Sequence, residues 1–298
     1  MHFSTFAACG LAAISSLSST VLAASLTRVT DFGTNPGNAQ MYIYVPDKLP
    51  ANPAIIVSMH YCGGTATTYF NMNKLPALAD THGYIMIVPS ATHDNNCWDA
   101  ATNATLTHNG GSDSLSIVNM VKYTISKYNA DPTRVFATGS SSGAIMTNVL
   151  CGAYPDVFAA GSGFSGMAYG CLAGSPGSSP QSADPACANG QHIYTPEKWA
   201  SMVRAGYPGY NGTYPRMQLW HGTADNIIKY QSLIEQVKEW SAVLGVEFTK
   251  NVTNTPKPGY TRMIFGDGSK MEAYSAQGVG HFVPTDEPSV LSWFGITS

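Results

Sequence analysis

A glycine-flanked serine, Ser141, offers the clearest chemistry in this sequence. It is the middle residue of Gly139-Ser-Ser-Ser-Gly143, between a β-branched and aromatic run at 134–138 and an apolar helical stretch at 144–150. A G-x-S-x-G pattern between a strand and a helix is typical of a nucleophile elbow, a strained turn that exposes the serine hydroxyl. The alternative is an ordinary Ser/Gly-rich loop. The flanking strand and helix favour a nucleophilic Ser141.

A serine nucleophile needs a base, and the base needs an orienting acid. Asp225 lies in His221-Gly-Thr-Ala-Asp225, directly after a strand-like run at 216–220, and only one of the eight histidines, His281, follows this acid. The order Ser, Asp, His is the one that α/β-hydrolases use. We therefore predict a triad of Ser141, Asp225 and His281, and we interpret His221 as a structural hydrogen-bonding residue of its loop.

Acyl transfer also needs two hydrogen-bond donors for the developing oxyanion. The residue after the nucleophile supplies one, which is the N–H of Ser142. A buried-type apolar strand at 54–59 ends in His60-Tyr-Cys62-Gly-Gly64, and this glycine turn indicates the N–H of Cys62 as the second donor. His60 could itself be catalytic, but its place at the strand end favours a role in holding the loop.

The elements that must position these residues alternate between strand and helix. Predicted strands lie at 54–59, 84–88, 134–138, 216–220, 261–265 and 271–275, and predicted helices at 73–82, 113–128, 143–150, 228–244 and 287–294. Residues 41–45 are predicted to form an antiparallel edge strand, and the Gly/Pro/Ser-rich segment 165–215 an insertion that shapes one wall of the cleft. Alternation over 298 residues predicts one α/β domain with a mostly parallel sheet and helices on both faces.

Several motifs together resemble one family. They are His-x-Cys-Gly-Gly at 60–64, Asn-Cys-Trp at 96–98, Leu106 to Leu115, Gly-Ser-Ser-Ser-Gly, His-Gly-Thr-Ala-Asp and Gly-Val-Gly-His. This set is similar to the fungal feruloyl and acetylxylan esterases of carbohydrate esterase family 1, and most similar to the type B feruloyl esterases. The resemblance implies an α/β-hydrolase fold and the same triad and oxyanion donors, Cys62 and Ser142. Tyr61 departs from the glycine or proline of many relatives, and no appended cellulose-binding module is expected.

The cysteines predict two disulfides. Cys62 and Cys97 each follow a predicted strand on the same side of the sheet, so a bridge would hold the oxyanion loop against the Trp98 loop. Cys171 and Cys187 bracket a polar, irregular segment that needs a covalent link. Cys151 is then a buried free thiol. Scattered His and Asp show no metal-ligand spacing, so no metal and no cofactor is predicted.

Composition and the amino terminus suggest an exported protein. Residues 1–23 carry an apolar stretch too short to span a bilayer and end in Val-Leu-Ala, which predicts a signal peptide before an esterase domain at 24–298. Sequons stand at Asn103, Asn211 and Asn251. A net charge of −3 with 11% charged residues argues against nucleic acid or membrane partners. We therefore expect a secreted, extracellular protein.

The predicted function is release of ferulic or related hydroxycinnamic acids from plant cell-wall polysaccharide. The alternative within the same chemistry is an acetylxylan esterase with a smaller acyl pocket. A catalytically inactive carbohydrate-binding protein and a lipase or polyester depolymerase are further alternatives. Trp98 is predicted to contact the aromatic acyl group, because it follows the cysteine that is expected to bond the oxyanion loop; otherwise it is a core tryptophan.

Overall fold

The computed structural model describes residues 1–2 and 24–297. The predicted signal peptide, residues 1–23, lies outside the described residues apart from Met1 and His2. The strands are β1 Thr27–Val29, β2 Met41–Tyr44, β3 Ile55–Met59, β4 Ile85–Ile87, β5 Val135–Ser140, β6 Ala160–Phe164, β7 Arg216–Gly222, β8 Phe248–Thr253, β9 Tyr260–Phe265 and β10 Met271–Ala276. The helices are α1 Ala66–Met72, α2 Leu75–His82, α3 Asn103–Leu106, α4 Ser112–Tyr128, α5 Ser142–Ala153, α6 Pro180–Ala183, α7 Pro185–Ala188, α8 Pro196–Gly206, α9 Gln231–Leu244 and α10 Glu287–Trp293.

All of these strands belong to one sheet. Its order is β1-β2-β4-β3-β5-β6-β7-β10-β9-β8. The six strands from β4 to β10 in this order pair in parallel, and antiparallel strands flank them on both sides. The predicted α/β-hydrolase architecture is confirmed.

Side chains alternate between the two faces of the sheet and form two cores. On β3, Ile55, Val57 and Met59 pack with residues of α4, α5 and α9 on one face. Ile56 packs on the other face with residues of α2 and α10. Every residue of β3 is buried, as expected for a strand covered by helices on both faces. The core therefore holds the centre of the sheet rigidly from both sides.

Several features differ from the sequence-based expectation, which also lacked β1 and β8. The prediction did not include β6, whose sequence AGSGF has low strand propensity; its glycines let α5 pack closely, since a Cβ at Gly161 would lie 2.8 Å from the Cys151 sulfur. Residues 41–44 do not form the edge, because β1 pairs outside them. The segment 165–215, for which no helix was predicted, contains α6, α7 and α8.

The parallel strands bring the predicted site residues to one place. Cys62 follows β3, Ser141 follows β5, Asp225 follows β7 and His281 follows β10. Because the carboxyl ends of parallel strands meet at the same edge of the sheet, these four residues lie along that edge. Within residues 24–297, no helix is long and apolar enough to cross a membrane.

Candidate active site

Ser141 occupies a strained turn between β5 and α5. Its φ of 55° and ψ of −118° lie outside the regions that non-glycine residues normally adopt. Its N–H donates to the Phe164 carbonyl of β6 at 2.8 Å. A Cβ at Gly139 would lie 2.5 Å from the Gly143 backbone, and a Cβ at Gly143 would fall on the Met59 carbonyl oxygen. The glycines allow α5 to start this close to the sheet.

His281 joins Ser141 to Asp225. Its Nε2 lies 2.8 Å from the Ser141 Oγ and its Nδ1 2.7 Å from the Asp225 Oδ2. The His281 carbonyl accepts from the Ser165 Oγ at 2.6 Å, which fixes the loop after β10. All three side chains of this chain of contacts are buried. The geometry is that of a serine, a base in hydrogen-bond reach of it and an acid that orients the base.

Asp225 is held as a carboxylate by donors on both oxygens. Its Oδ1 accepts from the N–H groups of Ile227 and Ile228 at 2.8 and 2.9 Å. Its Oδ2 contacts His281 and also the Nε2 of His221, at 3.1 Å. Burial alone would raise the pKa of Asp225, but the hydrogen bonds from His221 and His281 hold it well below its usual range. The acid therefore stays ionised beside His281.

His221 is a second histidine on the same acid. Its side chain is fully buried, and its Nε2 lies 2.9 Å from the Ile228 carbonyl as well as near Asp225. Both neighbours are acceptors, so Nε2 carries the proton. The sequence indicated a structural hydrogen-bonding residue of this loop, and the contact with the acid's Oδ2 is a detail that it did not reveal.

The loop after β3 has a fixed peptide orientation. The Tyr61 carbonyl accepts from the His60 Nδ1 at 2.7 Å and from the Gly64 N–H at 2.9 Å, while the His60 Nε2 accepts from the Ala91 N–H at 3.1 Å. In a trans peptide the C=O and the next N–H point in opposite directions. The Cys62 N–H therefore points away from His60, and Cys62 lines the same cavity as Ser141.

His60 is a buried, neutral residue at the start of this loop. Its side chain is fully buried, and burial lowers the pKa of His60 to about 4, although its hydrogen bond to the Tyr61 carbonyl works in the opposite direction. Both ring nitrogens have backbone partners, which leaves none to contact a substrate. His60 holds the loop, in agreement with the interpretation favoured from its sequence position.

Trp98 does not contact the cavity, so the prediction that it binds the acyl group is wrong. Its side chain is 0% exposed, and its Nε1 donates to the His60 carbonyl at 2.9 Å. Its backbone N–H donates to the Ser142 Oγ at 2.8 Å. The indole therefore lies in the core and bonds to the loop after β3, while the Trp98 backbone bonds to the start of α5.

The disulfides in the structure have the expected pairing. Cys62 is bonded to Cys97, and Cys171 to Cys187. Among the described residues, Cys151 is a buried cysteine outside any disulfide. The first bridge attaches the loop after β3 to the turn at 94–96, whose Asn95 carbonyl accepts from the Gly63 N–H at 2.7 Å.

A cavity of about 210 Å³ opens above Ser141 and His281. Its lining combines the apolar side chains of Tyr61, Ile227 and Phe282 with the polar side chains of Asn95, Ser179 and Gln181. The backbone N–H groups of Ser178 and Ser179 donate to the Asp94 carboxylate, so the lining segment at 179–181 is attached to the turn at 94–96 beside the disulfide. The sequence placed one wall of the cleft in 165–215, and residues 179–181 of that segment line the cavity.

The remaining predictions concern glycosylation and metal binding. Asn103, Asn211 and Asn251 are exposed. Among residues 24–297, no group of three or more His, Cys, Asp or Glu side chains is arranged to hold a metal ion.

Comparisons with known proteins show similarity to esterases. A family model described as Esterase PHB depolymerase matches residues 40–180. The chain is 63% identical to feruloyl esterase B of Talaromyces funiculosus over 278 residues, which is 93% of this chain and 79% of that protein. It is 45% identical to acetylxylan esterase A of Aspergillus oryzae, covering 93% of this chain and 90% of that protein. The structure of an acetyl xylan esterase from Aspergillus awamori superposes with a TM-score of 0.88 at 45% identity, covering 92% of this chain and all of that one.

Proposed function

Since the chain belongs to the family of fungal feruloyl esterases B and acetylxylan esterases A, we propose that it is a feruloyl esterase acting on plant cell-wall polysaccharide. The observation that carries the proposal is the run of contacts from the Ser141 Oγ through His281 to Asp225 at the floor of a cavity. This arrangement suits acyl transfer from an ester to serine and then to water. The reaction needs no cofactor.

In the proposed reaction, the His281 Nε2 takes the Ser141 proton while the Oγ attacks the ester carbonyl. The protonated histidine then gives that proton to the leaving sugar oxygen, and a water molecule activated by His281 hydrolyses the acyl-enzyme. Asp225 keeps Nδ1 protonated and stabilises the imidazolium, for which its lowered pKa is favourable because the carboxylate remains charged at neutral pH.

We assign the oxyanion site to the N–H groups of Cys62 and Ser142. Ser142 is the first residue of α5, so its N–H has no partner within the helix and lies at the positive end of the helix dipole. The Cys62 N–H points away from the His60 side of its peptide, as the Tyr61 carbonyl contacts require. Donors held in this way need no reorganisation when charge develops on the carbonyl oxygen.

A feruloyl substrate is favoured over an acetyl one by the cavity and by the relatives. The cavity of about 210 Å³ is much larger than a two-carbon acyl group needs, and the feruloyl esterase of T. funiculosus is more similar in sequence than the acetylxylan esterase of A. oryzae. The alternative, an acetylxylan esterase, is supported by the close match to the A. awamori structure.

We also propose that the protein is secreted. The predicted signal peptide at 1–23, the two disulfides and the exposed sequon asparagines at 103, 211 and 251 are all compatible with an oxidising export route and with glycosylation.

The test is hydrolysis of two esters by the purified protein and by Ser141→Ala. We expect turnover of methyl ferulate with a kcat/KM at least tenfold above that for methyl acetate, and no measurable turnover by Ser141→Ala. Ser140→Ala, one residue away on β5, is the matched control and should stay active. Preference for methyl acetate would support the acetylxylan alternative. No turnover of either ester would favour a binding protein and contradict the proposal.

A further inference from the structure

Two aromatic side chains at the mouth of the cavity, Tyr61 and Phe282, form what we call the rim pair. Their ring centroids lie 5.6 Å apart with an interplanar angle of 80°. Both residues line the cavity above Ser141 and His281. Phe282 is 57% exposed, although its neighbours His281 and Val283 are buried. A large apolar ring left open to solvent beside a catalytic cavity is a candidate ligand contact.

Both residues of the rim pair are adjacent in sequence to a residue of the proposed active site. Tyr61 precedes Cys62, and Phe282 follows His281. The backbone on both sides is fixed, because the Tyr61 carbonyl accepts two hydrogen bonds and the His281 carbonyl accepts from Ser165. The backbone that carries both rings is therefore fixed next to the proposed machinery, while the Phe282 ring stays exposed to solvent.

The rings are also supported laterally. Tyr61 packs edge-on against Tyr69 at 6.4 Å, and its hydroxyl donates to the Met72 sulfur at 3.4 Å. Phe282 packs edge-on against the His281 ring at 5.3 Å. Because Tyr69 and Met72 hold the Tyr61 side chain, a flat ring that enters the cavity can contact the rim pair without displacing it.

The polar and the apolar lining residues of the cavity suit different parts of the ester. A polysaccharide alcohol carries several hydroxyl groups, which the amides of Asn95 and Gln181 and the hydroxyl of Ser179 can bind by hydrogen bonds. A hydroxycinnamoyl group is flat, conjugated and largely apolar, and gains most from aromatic edges and faces. The apolar lining residues therefore suit the acyl side of the substrate.

We propose that Tyr61 and Phe282 bind the aromatic ring of the acyl group and so determine the preference for hydroxycinnamoyl over acetyl esters. This inference rests on the proposed function. It assigns the role predicted for Trp98 to a different pair of residues, which the fold brings together from positions 61 and 282.

The test compares three esters: methyl ferulate with an aromatic acyl group, phenyl acetate with an aromatic alcohol, and methyl acetate with neither. Phe282→Ala and Tyr61→Ala should each lower kcat/KM for methyl ferulate about tenfold, since each removes an aromatic contact and its buried area. Both acetates should change less than about twofold. Tyr61→Phe keeps the ring and should retain the preference for ferulate.

Phe248→Ala is the matched control. Phe248 is 54% exposed and also packs edge-on against one neighbouring aromatic ring, Phe265, but it lies on β8 at the far edge of the sheet. This variant should leave all three activities unchanged. Equal losses on all three esters in the rim-pair variants would overturn the proposal. A loss confined to phenyl acetate would also overturn it, because the rim pair would then contact the ring of the alcohol and not that of the acyl group.

Binding of ferulic acid to Ser141→Ala separates this inference from the proposed function. Calorimetry on this variant should give a Kd that rises about tenfold when Phe282→Ala is added. If the wild type fails to hydrolyse methyl ferulate but binding still depends on the rim pair, the proposed function is wrong and the aromatic site stands. If the wild type hydrolyses ferulate but neither binding nor selectivity responds to the rim pair, only this inference is wrong.

Discussion

The proposed triad and the rim pair lie within one cavity but differ in how the fold holds them. Ser141, Asp225 and His281 are each at most 6% exposed and are connected to one another and to backbone groups. Phe282 presents 57% of its surface to solvent. The hydrogen bond nearest to it in the chain is accepted by the backbone carbonyl of His281 and not by the Phe282 side chain. The proposed chemistry thus depends on buried, hydrogen-bonded residues, and the proposed selectivity on side chains that can be replaced without disturbing the core.

The difference predicts two kinds of mutational effect. A substitution in the triad or in the buried residues that support it should lower activity on every ester. A substitution in a supporting residue should also lower the free energy of unfolding. A substitution in the rim pair should change the ratio of activities on ferulate and acetate and little else. Four variants in the triad and its supporting residues test this division.

The largest effect is expected for Asp225→Asn. An amide in place of the carboxylate would hold His281 in the wrong tautomer, and the same change in a serine protease lowers kcat by about 10⁴. We expect a loss of that order on methyl ferulate and phenyl acetate alike. Asp286→Asn is the control, since the Asp286 carboxylate contacts the Ser289 N–H and Lys257 and no member of the triad. Full activity in Asp225→Asn would remove Asp225 from the proposed triad.

Trp98→Ala should destabilise the protein without altering selectivity. Removing a fully buried indole that bonds to the His60 carbonyl is expected to cost about 3–5 kcal/mol in the free energy of unfolding. The ferulate-to-acetate ratio should stay within about twofold of wild type. Denaturant unfolding and the two activities measure both quantities. A fall in the ratio with unchanged stability would contradict the buried position and weaken the comparison.

Loss of the Cys62–Cys97 bridge should affect stability and kcat together. The cysteines are 35 residues apart, for which the chain-entropy account gives about 4 kcal/mol, and the freed loop carries the proposed Cys62 donor. Cys62→Ala with Cys97→Ala is the variant to measure. The control replaces Cys171 and Cys187, 16 residues apart, where about 3 kcal/mol is expected and KM should respond more than kcat. The same kinetic change in both double variants would argue against a specific role of the first bridge.

The smallest effect is a pH dependence that originates in His60. Burial lowers the pKa of His60 to about 4 in the folded protein, from 6.5, so the unfolded chain binds more protons between these values. The stability contributed by neutral His60 is present above pH 6.5 and is lost as pH falls towards 4, by on the order of 3 kcal/mol. His60→Gln should lack this part of the acid sensitivity.

Unfolding free energies of wild type and His60→Gln at pH 7, 5.5 and 4.5 measure that difference. His82→Gln, a change at an exposed histidine at the end of α2, is the control and should follow the wild type at each pH. A constant difference between wild type and His60→Gln across this range would contradict the assignment of a neutral, buried imidazole.

Short-range patterns predicted the parts of this protein that depend on local chain geometry. The glycines around Ser141 predicted the elbow, because only glycine fits where α5 begins against Met59. The order of Asp225 and His281 after their strands predicted which loops meet, because parallel strands end at one edge. Patterns failed at β6, where close packing by α5 selects glycine over the β-branched residues that indicate a strand.

The sequence by itself determined the α/β class, the alternation of the main strands and helices, and which serine, acid and histidine can meet. Only the tertiary structure decided where side chains point once they arrive: Trp98 into the core, His221 onto Asp225, and Tyr61 and Phe282 onto the open cavity. The physical reason is that strand or helix formation and turn geometry depend on neighbouring residues. The direction and burial of a loop side chain depend on partners far along the chain, such as His60 for the Trp98 indole at a separation of 38.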